Sequence, residues 1–68
     1  MSFSIGRNIR AERVRRGLTQ LEMAIKLGIS ATGYNHKENN KRQFTLEEFV
    51  LVCKILDTDP EYLIKGSS

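Results

Sequence analysis

The sequence predicts an all-α fold, and three observations predict it. Two S/T-x-x-E capping boxes, Thr19 with Glu22 and Thr45 with Glu48, mark helix starts, because each pair satisfies backbone donors that a new helix leaves orphaned. Apolar residues recur three and four apart, as in Met23, Ala24 and Leu27, which is the period of a helix stripe rather than a strand. Gly17 and Gly28 stand just past such stripes, where a left-handed residue ends a helix at little steric cost.

Taken in order, Met1 to Ser4 reads as a short loose arm, with Ser4 capping a first helix from about Ile5 to Arg16. Ile5 and Ile9 begin its buried stripe, which Arg13 and Val14 continue less clearly. Leu18 turns inward ahead of the Thr19 cap, and a second helix runs from Gln20 to Leu27, with Ile29 as an apolar plug in the turn after Gly28. Leu21 and Ile25 lie four apart on the side away from Ala24. They predict an exposed apolar strip of the kind that partner proteins cover.

Ser30 caps a third helix reaching Glu38. Advancing about 100° per residue puts Ala31, Thr32, Asn35, His36 and Asn39 on one side, and Gly33, Tyr34, Lys37 and Glu38 on the other. The first side is small or polar and rich in donors and acceptors, as reading base edges requires. On the second, Tyr34 fills a core, and Gly33, at about 1 kcal/mol inside a helix, predicts the close approach of another helix. Asn39 to Gln43 is a polar, basic turn. Thr45 then opens a fourth helix to about Leu56, with Leu46, Phe49, Val50, Val52, Cys53 and Leu56 on its apolar side. Asp59-Pro60 reads as the cap and first residue of a short fifth helix through Ile64, followed by a frayed tail.

Sixty-eight residues predict one domain, 1–68, of a size that buries only about 60% of its unfolded surface. No apolar run is long enough to span a bilayer, and MSFSIGRNIR lacks a signal-peptide core, so the expected address is cytoplasmic. A lone Cys53 with only His36 beside it in the inventory makes neither a disulfide nor a metal site, and no cofactor is expected. One histidine, one cysteine, scattered acids and no Gly-rich phosphate loop also argue against an enzyme. Charge is uneven: residues 1–43 carry nine Lys/Arg against three acids, residues 44–68 two against five. A basic front and an acidic back orient a molecule toward a polyanion.

The run G-L-T-Q-x-x-M-A-x-K-L-G-I-S, followed by x-T-G-Y-x-x-K-E and N-K-R, resembles the Cro and phage-repressor helix-turn-helix family, also called the XRE family. The resemblance extends from Ile5 to roughly Ile64, with the helix-turn-helix unit at about residues 20–38. It implies a compact five-helix, lambda-repressor-like domain that binds double-stranded operator DNA, usually as a homodimer, and most often as a repressor. It also implies an ion pair between Arg13 and Glu38. The chain departs from the family pattern at Glu12, where leucine is common, at Lys37, where a large apolar residue is usual, and at Asn40 and Phe44, in places often held by glycine and proline. Asparagine is the next best residue for a positive backbone angle, and the Lys37 stem is expected along Tyr34 with its ammonium in water.

On this reading the work divides into positioning and base recognition. Gln20, at the start of the second helix, with Asn39, Lys41 and Arg42 beyond the third, would hold the DNA backbone, while Ala31, Thr32, Asn35 and His36 would meet base edges. The competing reading is a protein-interaction module on the same scaffold, suggested by Lys37, Phe44 and the Leu21/Ile25 strip.

Overall fold

The structure, a computed structural model, describes residues 5–66; the expected N-terminal arm, the Ser4 cap and the last two serines lie outside that range. The described residues form five α-helices and no strand: α1 Ile5–Arg15, α2 Gln20–Leu27, α3 Ala31–Glu38, α4 Leu46–Leu56 and α5 Pro60–Lys65. Each sends residues into one core: Ile9 from α1, Met23, Ala24 and Leu27 from α2, Tyr34 from α3, Val52, Cys53 and Leu56 from α4, and Leu63 from α5. Leu18 and Ile29 pack against it from the turns, as their positions predict.

Both capping boxes close. Glu22 N donates to Thr19 Oγ1 at 3.0 Å and Thr19 N to Glu22 Oε1 at 2.8 Å; the Thr45/Glu48 bonds are 3.1 and 2.9 Å. Ser30 Oγ accepts the Gly33 amide at 2.9 Å. Asp59 takes the extended cap conformation without a side-chain bond, and Pro60 fills the first helical position, where its missing N–H forfeits nothing.

Four helices end in one way. Gly17, Gly28, Asn40 and Asp57 have φ of 71, 72, 62 and 49°. Each sends its amide to the carbonyl three residues back, and the next residue sends its amide five back, which is the Schellman arrangement.

Three expectations about faces change. Val14 is 60% exposed, and α1 instead buries Glu12 and Arg13. A buried carboxylate needs a cation. Glu12 finds Arg16 at 3.4 Å and Arg15 at 3.6 Å, while Arg16 Nη2 donates to the Asp57 carbonyl at 3.3 Å and so ties the end of α1 to the end of α4. On α4, Leu46 and Val50 face outward, whereas Phe49 packs against the core as expected and Ile55 joins it. The close helix approach expected at Gly33 occurs at Gly6. A Cβ on Gly6 would fall within contact of the Glu38 carbonyl and Asn40 Oδ1, whereas one on Gly33 would meet only Ser30 Oγ. The first turn of α1 therefore presses on the end of α3.

Candidate nucleic-acid interface

Tyr34 and Glu38 anchor α3 from beneath, and both are buried. The Arg13 guanidinium grips Glu38 with two bonds, Nε to Oε2 at 2.8 Å and Nη2 to Oε1 at 3.1 Å, and its Nη1 donates to the Leu18 carbonyl at 2.7 Å. The pair that the resemblance implies is thus present, and two further donors complete it. Tyr34 donates its hydroxyl to Oε2 at 2.5 Å, and Gln20 donates Nε2 to Oε1 at 2.8 Å. Burial pushes the Glu38 pKa up, but the bonds from Arg13, Tyr34 and Gln20 together outweigh it and hold the carboxyl below its ordinary range. The same contact, opposed by burial, raises Arg13, while burial, then the bond to Glu38, raises the Tyr34 phenol. Glu38 is therefore an anion that accepts four hydrogen bonds, and such a group fixes geometry more reliably than it adds stability.

Above that anchor, Ala31, Thr32 and Asn39 are exposed, and Asn35 and His36 are half-buried. Burial thus separates Tyr34 and Glu38 from Ala31, Thr32 and Asn39, as the helix wheel expects, while Gly33, Asn35, His36 and Lys37 between them are all half-buried. Asn35 is not free at one end, because its Nδ2 donates to Gln20 Oε1 at 3.0 Å. Both ends of the Gln20 amide are consequently engaged within the protein, which the sequence does not reveal. What the start of α2 offers an anion is the pair of Gln20 and Leu21 backbone amides, since the cap occupies that of Glu22. The Thr19 amide and hydroxyl hold the Glu22 carboxyl below its ordinary range at the same helix end, where its charge opposes another anion.

Beyond α3 the chain turns at Asn40, whose positive φ the sequence anticipates. The His36 carbonyl accepts both the Lys41 amide at 2.8 Å and the Arg42 amide at 3.3 Å, so the turn is tied to the helix while the Asn39, Lys41 and Arg42 side chains stay exposed. Lys37 corrects its expectation. Its ammonium leaves water to pair with Glu48 Oε1 at 2.7 Å and to donate to the Gln43 carbonyl at 3.3 Å, bridging α3 to the capping box of α4. Phe44 stands edge-on to Tyr34 with ring centroids 6.1 Å apart. Two of the four residues that depart from the family pattern, Lys37 and Phe44, thus strap the basic turn to the body. Arg7 and Arg10 are also exposed, on the helix whose first turn touches the end of α3. Leu21 and Ile25 are 57% and 69% exposed on the outer side of α2.

Comparison with known proteins agrees with this fold. Residues 9–63 match the helix-turn-helix family model. The chain is 36% identical over 61 residues to an uncharacterized HTH-type transcriptional regulator, YqaE, of Bacillus subtilis; the match covers 90% of this chain but 53% of that protein, so the chain spans about half the length of this relative. Among solved structures, the P22 c2 repressor in complex with a synthetic operator is similar with a TM-score of 0.82 and 25% identity, over 98% of this chain and 100% of that one. SinR, a master regulator for biofilm formation solved in complex with DNA, has a TM-score of 0.76 and 25% identity, over 87% and 95%. The restriction-modification controller protein C.AhdI of Aeromonas hydrophila shares the fold, with a TM-score of 0.80 and 24% identity over 90% and 92%. The chain belongs to the XRE-type helix-turn-helix family.

Proposed function

We propose that this chain is a sequence-specific DNA-binding transcriptional regulator that lays α3 in the major groove of a two-fold operator as a homodimer, acting as a repressor in the cytoplasm. The observation that carries the reading is the division of α3 itself: Ala31 and Thr32 are exposed and Asn35 and His36 half-buried beside them, Tyr34 and Glu38 are locked beneath, and the exposed Lys41 and Arg42 follow at its end. The operator complex of the P22 c2 repressor and the DNA complex of SinR support it. No helix among the described residues is long and apolar enough to cross a membrane.

In this mechanism the exposed Lys41 and Arg42, with Asn39 and the first amides of α2 at Gln20, hold the phosphate backbone and set the depth and register of α3. Ala31 and the Thr32 methyl touch a thymine methyl, while Asn35 and His36 offer an amide and a ring nitrogen to base edges. One protomer supplies two or three such contacts at about 1–3 kcal/mol each. A second protomer on a half-site about one helical turn away roughly squares that modest discrimination.

The reading is tested by selecting bound sites from a random DNA pool and comparing two variants in salt-controlled titrations. Asn35→Ala is expected to flatten preference at one base pair per half-site, and Lys41→Ala to weaken all sequences alike. Equal behaviour of the two, or selected sites without a palindrome, refutes the division of labour or the dimer respectively. The protein-interaction reading retains one supporting observation, the exposed Leu21 and Ile25. Lys37 and Phe44 no longer favour it, since their contacts with Glu48 and Tyr34 account for them within the fold. Loss of self-association in a Leu21→Glu, Ile25→Glu double variant would support that strip as a contact surface, and no effect would dismiss it.

A further inference from the structure

Side-chain amides have two ends that differ only in chemistry, and which end faces which way is ordinarily free to change. Here a chain of contacts removes that freedom. The Glu38 carboxylate, paired with Arg13, has acceptors only, so Gln20 must turn its nitrogen toward it; the Nε2 to Oε1 distance is 2.8 Å. Gln20 Oε1 is then the end left for α3, and only a donor can meet it. Asn35 supplies Nδ2 at 3.0 Å. Asn35 is left with Oδ1 and one amide hydrogen for whatever lies against the helix.

We propose that Gln20 is a specificity-positioning residue, which carries the polarity of the buried Arg13/Glu38 pair to the outer face of α3 and holds Asn35 in a single amide orientation. The inference rests on the reading that Asn35 meets a base edge. It adds which edge is accepted. An oxygen beside one remaining hydrogen matches adenine, whose N6 amino group donates and whose N7 accepts. It mismatches guanine, whose O6 and N7 both accept and which asks for two donors. A freely flipping asparagine could present its amino group to guanine, whereas a locked one cannot do so without breaking the bond to Gln20. The side chain of Gln20 thus acts on sequence preference from inside the protein, separately from any phosphate held by the backbone amide of the same residue.

The test compares wild type, Gln20→Met, Asn35→Ala and the double variant on the selected operator, with all four base pairs placed at the position that Asn35→Ala flattens. Methionine keeps the length of the side chain and removes both hydrogen-bonding ends. Wild type is expected to prefer adenine there and to disfavour guanine. Gln20→Met should lower the adenine-over-guanine ratio by about tenfold, the scale of one good base contact, and should leave the other operator positions unchanged. The double variant should match Asn35→Ala at that position, because the two residues act through one contact. Thermal melts and the side-chain amide spectrum of the free protein supply the independent readout. In wild type one Asn35 amide proton should be shifted and protected from exchange, and Gln20→Met should erase that signature while the core resonances stay in place.

A Gln20→Met protein that weakens all four base pairs by the same factor would overturn the positioning role and leave the Asn35 reading intact. So would guanine as the preferred partner, or an unprotected Asn35 amide in wild type. An Asn35→Ala protein with unaltered preference at every position would instead sink the Asn35 reading, and this inference with it.

Discussion

Glu38 is the residue that anchors α3 to the body, and its chemistry gives a signed prediction. Its carboxyl is held below the ordinary range, so the unfolded chain takes up a proton at a higher pH than the folded one does. The stabilisation is therefore complete above the unfolded value of about 4.3 and is lost as pH falls through the lower folded value. Glu48, where bonds from Lys37 and Thr45 overcome burial, has the same sign. Denaturant midpoints should stay level from pH 7 to about 5 and then drop, and Glu38→Gln should flatten the drop. Truncation to Glu38→Ala leaves Arg13 and Tyr34 facing an empty site. Removal of one partner of a buried pair costs about 3–5 kcal/mol, most of the stability expected of so small a protein, so calorimetry should find this variant largely unfolded at 37 °C. The resemblance was enough to name the Arg13/Glu38 pair, because both residues sit at family positions. Gln20 and Asn35 were legible as candidate DNA contacts, but not as bonded to each other. That contact depends on the distance between two helices, which no local spacing encodes.

At the scale of elements, helix starts were legible because a capping box is contained within four residues of sequence. Ends were legible where glycine or asparagine took the left-handed turn, at Gly17, Gly28 and Asn40, and hidden at Asp57, a residue seldom chosen for it. Asp57 also places a negative charge at the carboxyl end of α4, which the helix dipole disfavours by about 0.3–1 kcal/mol. Asp57→Gly relieves both the backbone conformation and the charge, and should raise stability by about 1 kcal/mol, or about 4–8 °C in Tm. Asp57→Ala relieves only the charge and should fall short of it. The fold does need a glycine where one helix closely approaches another, but at Gly6 and not at Gly33. Gly33 lies against its own cap, while Gly6 lies against the backbone of α3, a contact between residues more than thirty apart in the chain. Gly6→Ala should therefore lose about 1–3 kcal/mol by overpacking. Gly33→Ala, where a helix-propensity gain of about 1 kcal/mol offsets a small shift of Ser30, should stay close to wild type in the same melts.

The whole molecule is asymmetric in charge, and α3 with its following turn lies within the basic portion of the chain. The consequence is a salt dependence with an assignable composition. Each cation that meets a phosphate contributes about −0.9 to the slope of log affinity against log salt. Lys41 and Arg42 are exposed at the end of α3 and tied there through the His36 carbonyl, and on the proposed reading they meet the DNA backbone whatever the base sequence. Titrations between about 50 and 200 mM salt should show the Lys41→Ala, Arg42→Ala double variant with a slope shallower by about 1.8 per protomer and with an unchanged order of preference among operators. Lys37→Met provides the contrast. Lys37 is committed to Glu48 and Gln43 within the fold, so its loss should reduce stability and leave the slope as it was. A slope that moved with Lys37 and not with Lys41 and Arg42 would mean that DNA approaches α3 from the side facing α4. The outer face of α3 would then have to be assigned to something other than the groove.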